Sequence, residues 1–175
     1  MPPAVLYVHP GVLDQRRGRI VFASLTAHCA LGRSGVRVRK REGDGATPVA
    51  SMRPVAVYWR DDRVRRTPTV LPVRPIRADD GWCDDGAHRR YNRRVRLPFP
   101  AGHETMRRVD GLYDIVVELD WNRAPAIPGR GSAIFLHLAK PGYPPTEGCI
   151  AVSLKTMRLI LPHLRPATRI VVRHP

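Results

Sequence analysis

Proline and glycine punctuate this chain too often for long helices: 18 prolines and 14 glycines are spread over 175 residues. Proline removes a backbone donor and clashes with the preceding helical turn, while glycine in a helix gives up extra chain entropy. What lies between them must therefore be short, and short strands joined by turns are expected. Ala4 to His9, Arg19 to Ala23, Thr26 to Ala30, Val36 to Arg39 and Met52 to Arg60 read as strands, the last because Val55, Val57 and Trp59 alternate. Leu112 to Trp121, the nearly all-apolar Ser132 to Leu138, Cys149 to Val152 and Arg169 to Arg173 continue the series. Ser153 can cap one helix from Leu154 to Leu161, broken at Pro162, and Gly102 to Arg108 is expected to form a helical turn. The expected fold is mainly β, a β-sandwich or mixed sheet with one or two short helices, in a single domain spanning residues 1–175.

Charge narrows the partners without choosing one. The formal net charge is +15, and Lys40, Lys140 and Lys155 are the only lysines, so the field is almost entirely arginine. Nucleic acid, anionic lipid and carboxylate-rich cell-wall peptide would all be drawn to it. Arg37 to Arg41 and the cluster Arg89, Arg90, Arg93, Arg94 and Arg96 keep a nucleic-acid-binding module open as a remote alternative. No helix-turn-helix pattern or zinc-finger spacing accompanies them, so no specific nucleic acid is expected. Three cysteines, Cys29, Cys83 and Cys149, are too few and too oddly numbered for a disulfide framework. A Cys29–Cys83 bridge is a candidate only in an exported protein. Met1 to Arg19 lacks the basic start and long apolar run of a secretory signal, and no apolar stretch approaches membrane-spanning length.

Arg60 to Arg96 is polar, arginine-rich and broken by prolines, yet it holds Trp82-Cys83-Asp84-Asp85 and Tyr91-Asn92. A disordered linker rarely carries such residues, so an ordered loop lining a site is expected.

The segment from Ile134 to Val152 carries the chemistry: a strand-borne His137 precedes Cys149 by 12 positions, and a Pro/Gly-rich loop joins them. If the chain doubles back through Lys140 to Thr146, the strand after Cys149 lies beside the one bearing His137. Only a thiolate attacks a carbonyl efficiently, and a neighbouring imidazole supplies the base that makes one. Gly148, with no side chain, lets its own amide and that of Cys149 approach a developing oxyanion. The blander reading of each residue alone is a small buried core cysteine and a satisfied core histidine. Zinc is disfavoured because neither CxxC nor HxxxH occurs. No metal or cofactor is expected.

The order His137, loop, Thr146, x, Gly148, Cys149, Ile150 resembles the catalytic signature of the L,D-transpeptidase (YkuD) family. Lys40 with Gly43-Asp44-Gly45-Ala46-Thr47-Pro48 resembles that family's Lys-x-Gly-Asp-Gly-x-Thr-Pro loop. Trp82 to Asn92 is similar to a segment of a compact proteobacterial branch associated with 1-3 crosslinks. Leu138, Glu147 and Ala50 stand where the larger family often has Gly, His or Arg, and Gly. The resemblance implies a YkuD-type sheet and attack by Cys149 on the third stem residue of peptidoglycan, a diamino acid, with terminal D-Ala expelled and a thioester left. It implies His137 as base, oriented by the backbone carbonyl of Leu138, and Gly148 and Cys149 amides on the oxyanion. Thr146, Trp82, Asp84, Tyr91 and Asn92 are the expected substrate contacts.

Donor and acceptor stem peptides are the implied partners, and the implied location is the periplasm or cell envelope. An L-Ala acceptor, giving 1-3 crosslinks, is favoured over a diaminopimelate acceptor giving 3-3. Water as acceptor would make the chain an L,D-carboxypeptidase or amidase. A carbapenem that enters the site is expected to acylate Cys149.

Overall fold

The computed structural model describes residues 4–174. Residues 1–3 and 175, the ends of the expected domain and the start of the N-terminal stretch, lie outside the described residues. In chain order the strands are β1 (Val5–Pro10), β2 (Arg17–Phe22), β3 (Leu25–Ala30), β4 (Val36–Arg37), β5 (Thr47–Pro48), β6 (Ser51–Met52), β7 (Pro54–Trp59) and β8 (Val73–Pro75). They continue with β9 (Asp80–Cys83), β10 (Arg93–Arg96), β11 (His103–Thr105), β12 (Ile115–Leu119), β13 (Phe135–Leu138), β14 (Ile150–Val152) and β15 (Arg169–Val172). One helix, α1 (Leu154–Ile160), runs into a 3-10 turn at Leu161–His163. Ser153 caps α1, its Oγ accepting from Thr156 N at 3.1 Å, a bond worth about 1 kcal/mol. Pro162 does not end the helical path as expected, because the 3-10 turn tolerates proline near its start.

The fold is mostly β, built on a curled mixed sheet of ten strands in the order β6-β15-β1-β2-β3-β14-β13-β12-β7-β8. A three-stranded sheet, β10-β9-β11, lies apart from it in hydrogen bonding. Two expectations are corrected here. Gly102 to Arg108 holds strand β11 and no helical turn, because β9 offers an unpaired edge and His103 and Glu104 pair with Cys83 and Trp82. Arg60 to Arg96 is no plain loop, since it contributes β8, β9 and β10.

Strands β1 and β2 of the large sheet alternate: Leu6, Val8, Ile20 and Phe22 are buried while the residues between them are more exposed. Strands β12, β13 and β14 are buried along their whole length, so both of their faces are covered. Side chains alternate across a strand, so Leu136 and Leu138 join Ile150 and Val152 in the main core with Met157 and Ile160 of α1. Phe135 and Cys149 face the other way, into a second cluster with Tyr58, Trp82 and Tyr113. Trp82 stands edge-on to Phe135 at 5.0 Å, fastening the small sheet over this second face. Removing so buried a ring, as in Phe135→Ala, costs about 3–5 kcal/mol. The same period of two sends His137 toward the second face, where its ring lies 5.3 Å from that of Tyr113.

Candidate active site

Strands β13 and β14 run parallel, with Leu136 opposite Ile150, His137 opposite Ala151 and Leu138 opposite Val152. His137, Cys149 and Ala151 all line one cavity of about 530 Å³. His137 Nδ1 lies 2.8 Å from the carbonyl oxygen of Leu138. A carbonyl can only accept, so Nδ1 carries the hydrogen and a neutral ring leaves Nε2 its lone pair. Cys149 Sγ donates to Ala133 O at 3.1 Å and accepts from Phe135 N at 3.4 Å. Burial is the main cause that pushes the thiol up to about 12, aided by Glu104 and opposed by the Phe135 amide. Burial likewise pushes His137 down to about 4, against the Leu138 hydrogen bond. The pair therefore rests as neutral thiol and neutral imidazole.

The turn before Cys149 is tied from three sides. Thr146 Oγ1 donates to Cys149 O at 2.7 Å and accepts from Gly148 N at 3.1 Å. Arg33 N donates to Thr146 O at 2.7 Å, and Thr146 N to Leu31 O at 2.9 Å. Thr47 Oγ1 accepts from Gly32 N at 2.9 Å and lies 3.5 Å from Cys149 O. The Lys40–Asp44 ion pair, 2.6 Å long, folds the glycine-rich loop that delivers Thr47, and Asp44 also accepts from the amides of Arg41 and Ala46. Gly148 has φ of +132°, and a Cβ there would stand 2.8 Å from Ala46 O, so no larger residue fits without movement. Its amide is already directed at Thr146, so meeting an oxyanion requires a change of partner.

Of the other expected site residues, Thr146 and Asp84 line the cavity, while Trp82, Tyr91 and Asn92 stand behind its wall. Trp82 Nε1 donates to Asn92 Oδ1 at 3.0 Å, and the same oxygen accepts from Ala133 N at 3.1 Å. Asn92 Nδ2 donates to the carbonyls of Trp121 and Asn122, so the amide has no capacity left for a peptide. Tyr91 donates its phenol hydrogen to Glu42. Ala133, whose carbonyl takes the thiol hydrogen, has φ of +52° and is held there by Asn92.

Glu42, Arg108 and Tyr113, which no sequence motif marks, line the cavity too, and so does Glu104. Glu104 is the residue beside the exposed His103, and strand alternation turns it inward, where Tyr113 donates to it at 2.8 Å. Recognising β11 as a strand would have found it. Cys29, Cys83 and Cys149 are all free thiols. Of the arginine cluster, Arg94 and Arg96 are spent on Asp80 and Asp79.

A mixed sheet with a buried histidine and cysteine meeting one cavity defines a class of hydrolytic or acyl-transferring candidates, and comparison supplies the family. The chain matches the model of the YkuD L,D-transpeptidase catalytic domain over residues 12–172, and it belongs to that family. The family comprises peptidoglycan-modifying acyltransferases. Among solved structures it is similar to the crystal structure of Mycobacterium tuberculosis L,D-transpeptidase 1, at 12% identity and a TM-score of 0.42, over 98% of this chain. The chain spans 62% of that protein's length. No curated protein matches it.

Proposed function

We propose that residues 1–175 form one catalytic domain, a cysteine acyl-transferase acting on peptidoglycan stem peptides in the periplasm, with Cys149 as nucleophile and His137 as base. The supporting observation is that β13 and the turn entering its parallel neighbour β14 bring both side chains to one cavity, with Leu138 O orienting the imidazole. As Sγ bonds to the carbonyl carbon of the third stem residue, Nε2 takes the thiol proton. The amides of Gly148 and Cys149 receive the oxyanion, the former after releasing Thr146 Oγ1. Breaking the bond to D-Ala returns that proton to the leaving amine and leaves a thioester on Cys149. An acceptor amine then attacks the thioester and the thiol is restored.

Thr146 and Asp84 touch substrate from the cavity wall, whereas Tyr91 and Asn92 act through Glu42 and Ala133. Trp82 acts through Asn92. The acceptor proposed is a free L-Ala N-terminus, giving 1-3 crosslinks, on the strength of the resemblance around Trp82 to Asn92 and the short loop before Thr146. The test is mass spectrometry of muropeptides from sacculi incubated with wild-type protein or Cys149→Ala. New crosslinks with loss of D-Ala, absent with the variant, are expected, and fragmentation reads 1-3 from 3-3. Loss of D-Ala without crosslinks identifies a carboxypeptidase; unchanged muropeptides refute the proposal.

A further inference from the structure

Three carboxylates meet at the cavity without a counter-ion. Glu42, Asp84 and Glu104 all line it, and among the described residues none of them joins an ion pair. Elsewhere in this protein of net charge +15, Asp62, Asp80 and Glu118 are each held by arginine. The cations that share the cavity are engaged elsewhere, Lys40 by Asp44 and both Arg108 and Lys140 by Asp110. Two of the three acids are fixed by phenols, Glu42 by Tyr91 and Glu104 by Tyr113 at 2.8 Å. Asp84 Oδ1 is seated against Gly102, where a Cβ would come within 2.8 Å. Burial first, and then the neighbouring acids, pushes Asp84 and Glu104 above the ordinary carboxylate range, although His103 acts against this on Asp84, and Tyr113 and Arg108 on Glu104.

A second, independent feature lies in the same wall. Ser132 is only 8% exposed and lines the cavity, yet its Oγ is buried without a hydrogen bond. It stands near enough to the Tyr91 phenol to favour that group's ionised form, short of a well-formed bond. A buried hydroxyl left so is destabilising unless a ligand completes it.

We propose that Glu42, Asp84 and Glu104, with Ser132 Oγ, form a subsite for the primary ammonium group of the acceptor peptide. An ammonium offers three donors and one positive charge, and this wall offers carboxylate and hydroxyl acceptors that no ion pair occupies. The inference rests on the acyl-transfer reading of the cavity and names what selects an amine there over water: the acceptor's cation is retained beside the thioester.

The probes are L-alaninamide, which carries an ammonium and no carboxylate, and N-acetyl-L-alaninamide, which lacks the ammonium. Titrated calorimetrically into Cys149→Ala protein, the first is expected to bind and the second not. Adding Asp84→Asn or the more exposed Glu42→Gln weakens L-alaninamide by about tenfold, with melting curves checking the fold. Equal binding of both probes, or binding indifferent to both substitutions, overturns the subsite. Acylation of Cys149 by a carbapenem, followed by intact mass, is read in parallel on proteins retaining the cysteine. Normal acylation with no ammonium-dependent binding leaves the acyl-transfer reading standing and refutes the subsite. Ammonium-dependent binding in a protein whose Cys149 is never acylated does the reverse. Slower acylation in Asp84→Asn, with transfer to amine unchanged, assigns the wall to the donor and overturns the acceptor assignment.

Discussion

Burial sets the protonation of Cys149 and His137 before any substrate arrives, the thiol being pushed up to about 12 and the imidazole down to about 4. A neutral imidazole is the form that can accept a proton, and it persists until the pH falls toward 4. Raising the pH from neutrality ionises neither group. Acylation of Cys149 by a carbapenem, timed by intact mass, should therefore be flat through neutral and mildly alkaline pH and fall only as the pH drops toward 4. An inflection at the ordinary histidine value of 6.5 would show that the ring is not desolvated in the working enzyme. Gly148 invites a second experiment. Because a Cβ there meets Ala46 O at 2.8 Å with φ at +132°, Gly148→Ala must move either the turn or the loop bearing Thr47. We expect a loss of about 1–3 kcal/mol in chemical denaturation and slower acylation, since both elements hold Cys149 O.

Among the elements, the small sheet does more for the site than its length implies. Asn92 binds Trp82 of β9, fixes Ala133 beneath the Cys149 thiol and caps the carbonyls of Trp121 and Asn122. Asn92→Ala would leave these buried groups unpaired, a loss of about 2–4 kcal/mol measurable in denaturant. As a support for Ala133 it should also slow acylation while leaving L-alaninamide affinity within about twofold. A direct peptide contact would instead weaken probe binding. Much of the large sheet was legible because its strands alternate or run apolar, and the histidine and cysteine strands were placed side by side by the short loop between them. Strands β8 to β11 were not legible. They are three or four residues long, and β10, Arg93–Arg96, reads as a charged run. Its place in the sheet comes from pairing: Arg94 reaches Asp80 across the β9–β10 ladder, a contact that no local pattern records. With β11 mistaken for a helical turn, the inward face of Glu104 was hidden, and so was the acidic wall.

At the scale of the molecule the charge is segregated, cationic outside and anionic where the amine is proposed to bind. Arg74, Arg89, Arg90, Arg93, Arg94 and Arg123 line a separate hollow of about 310 Å³, and of these Arg94 and Arg123 are paired with Asp80 and Glu118. A net charge of +15 attracts a carboxylate-rich polymer over a range set by salt, whereas a pocket shielded by protein feels salt little. Binding of Cys149→Ala protein to purified sacculi, measured by pelleting, should fall by about tenfold between low and high salt. Arg89→Gln with Arg93→Gln should flatten that dependence. Acylation of Cys149 by a small carbapenem in the same two buffers should not change, because in the proposed mechanism the reaction depends on the buried pair and not on the field outside. If acylation fell with salt in step with sacculus binding, the arginines would be acting inside the site, and the separation of steering surface from reacting cavity would be wrong.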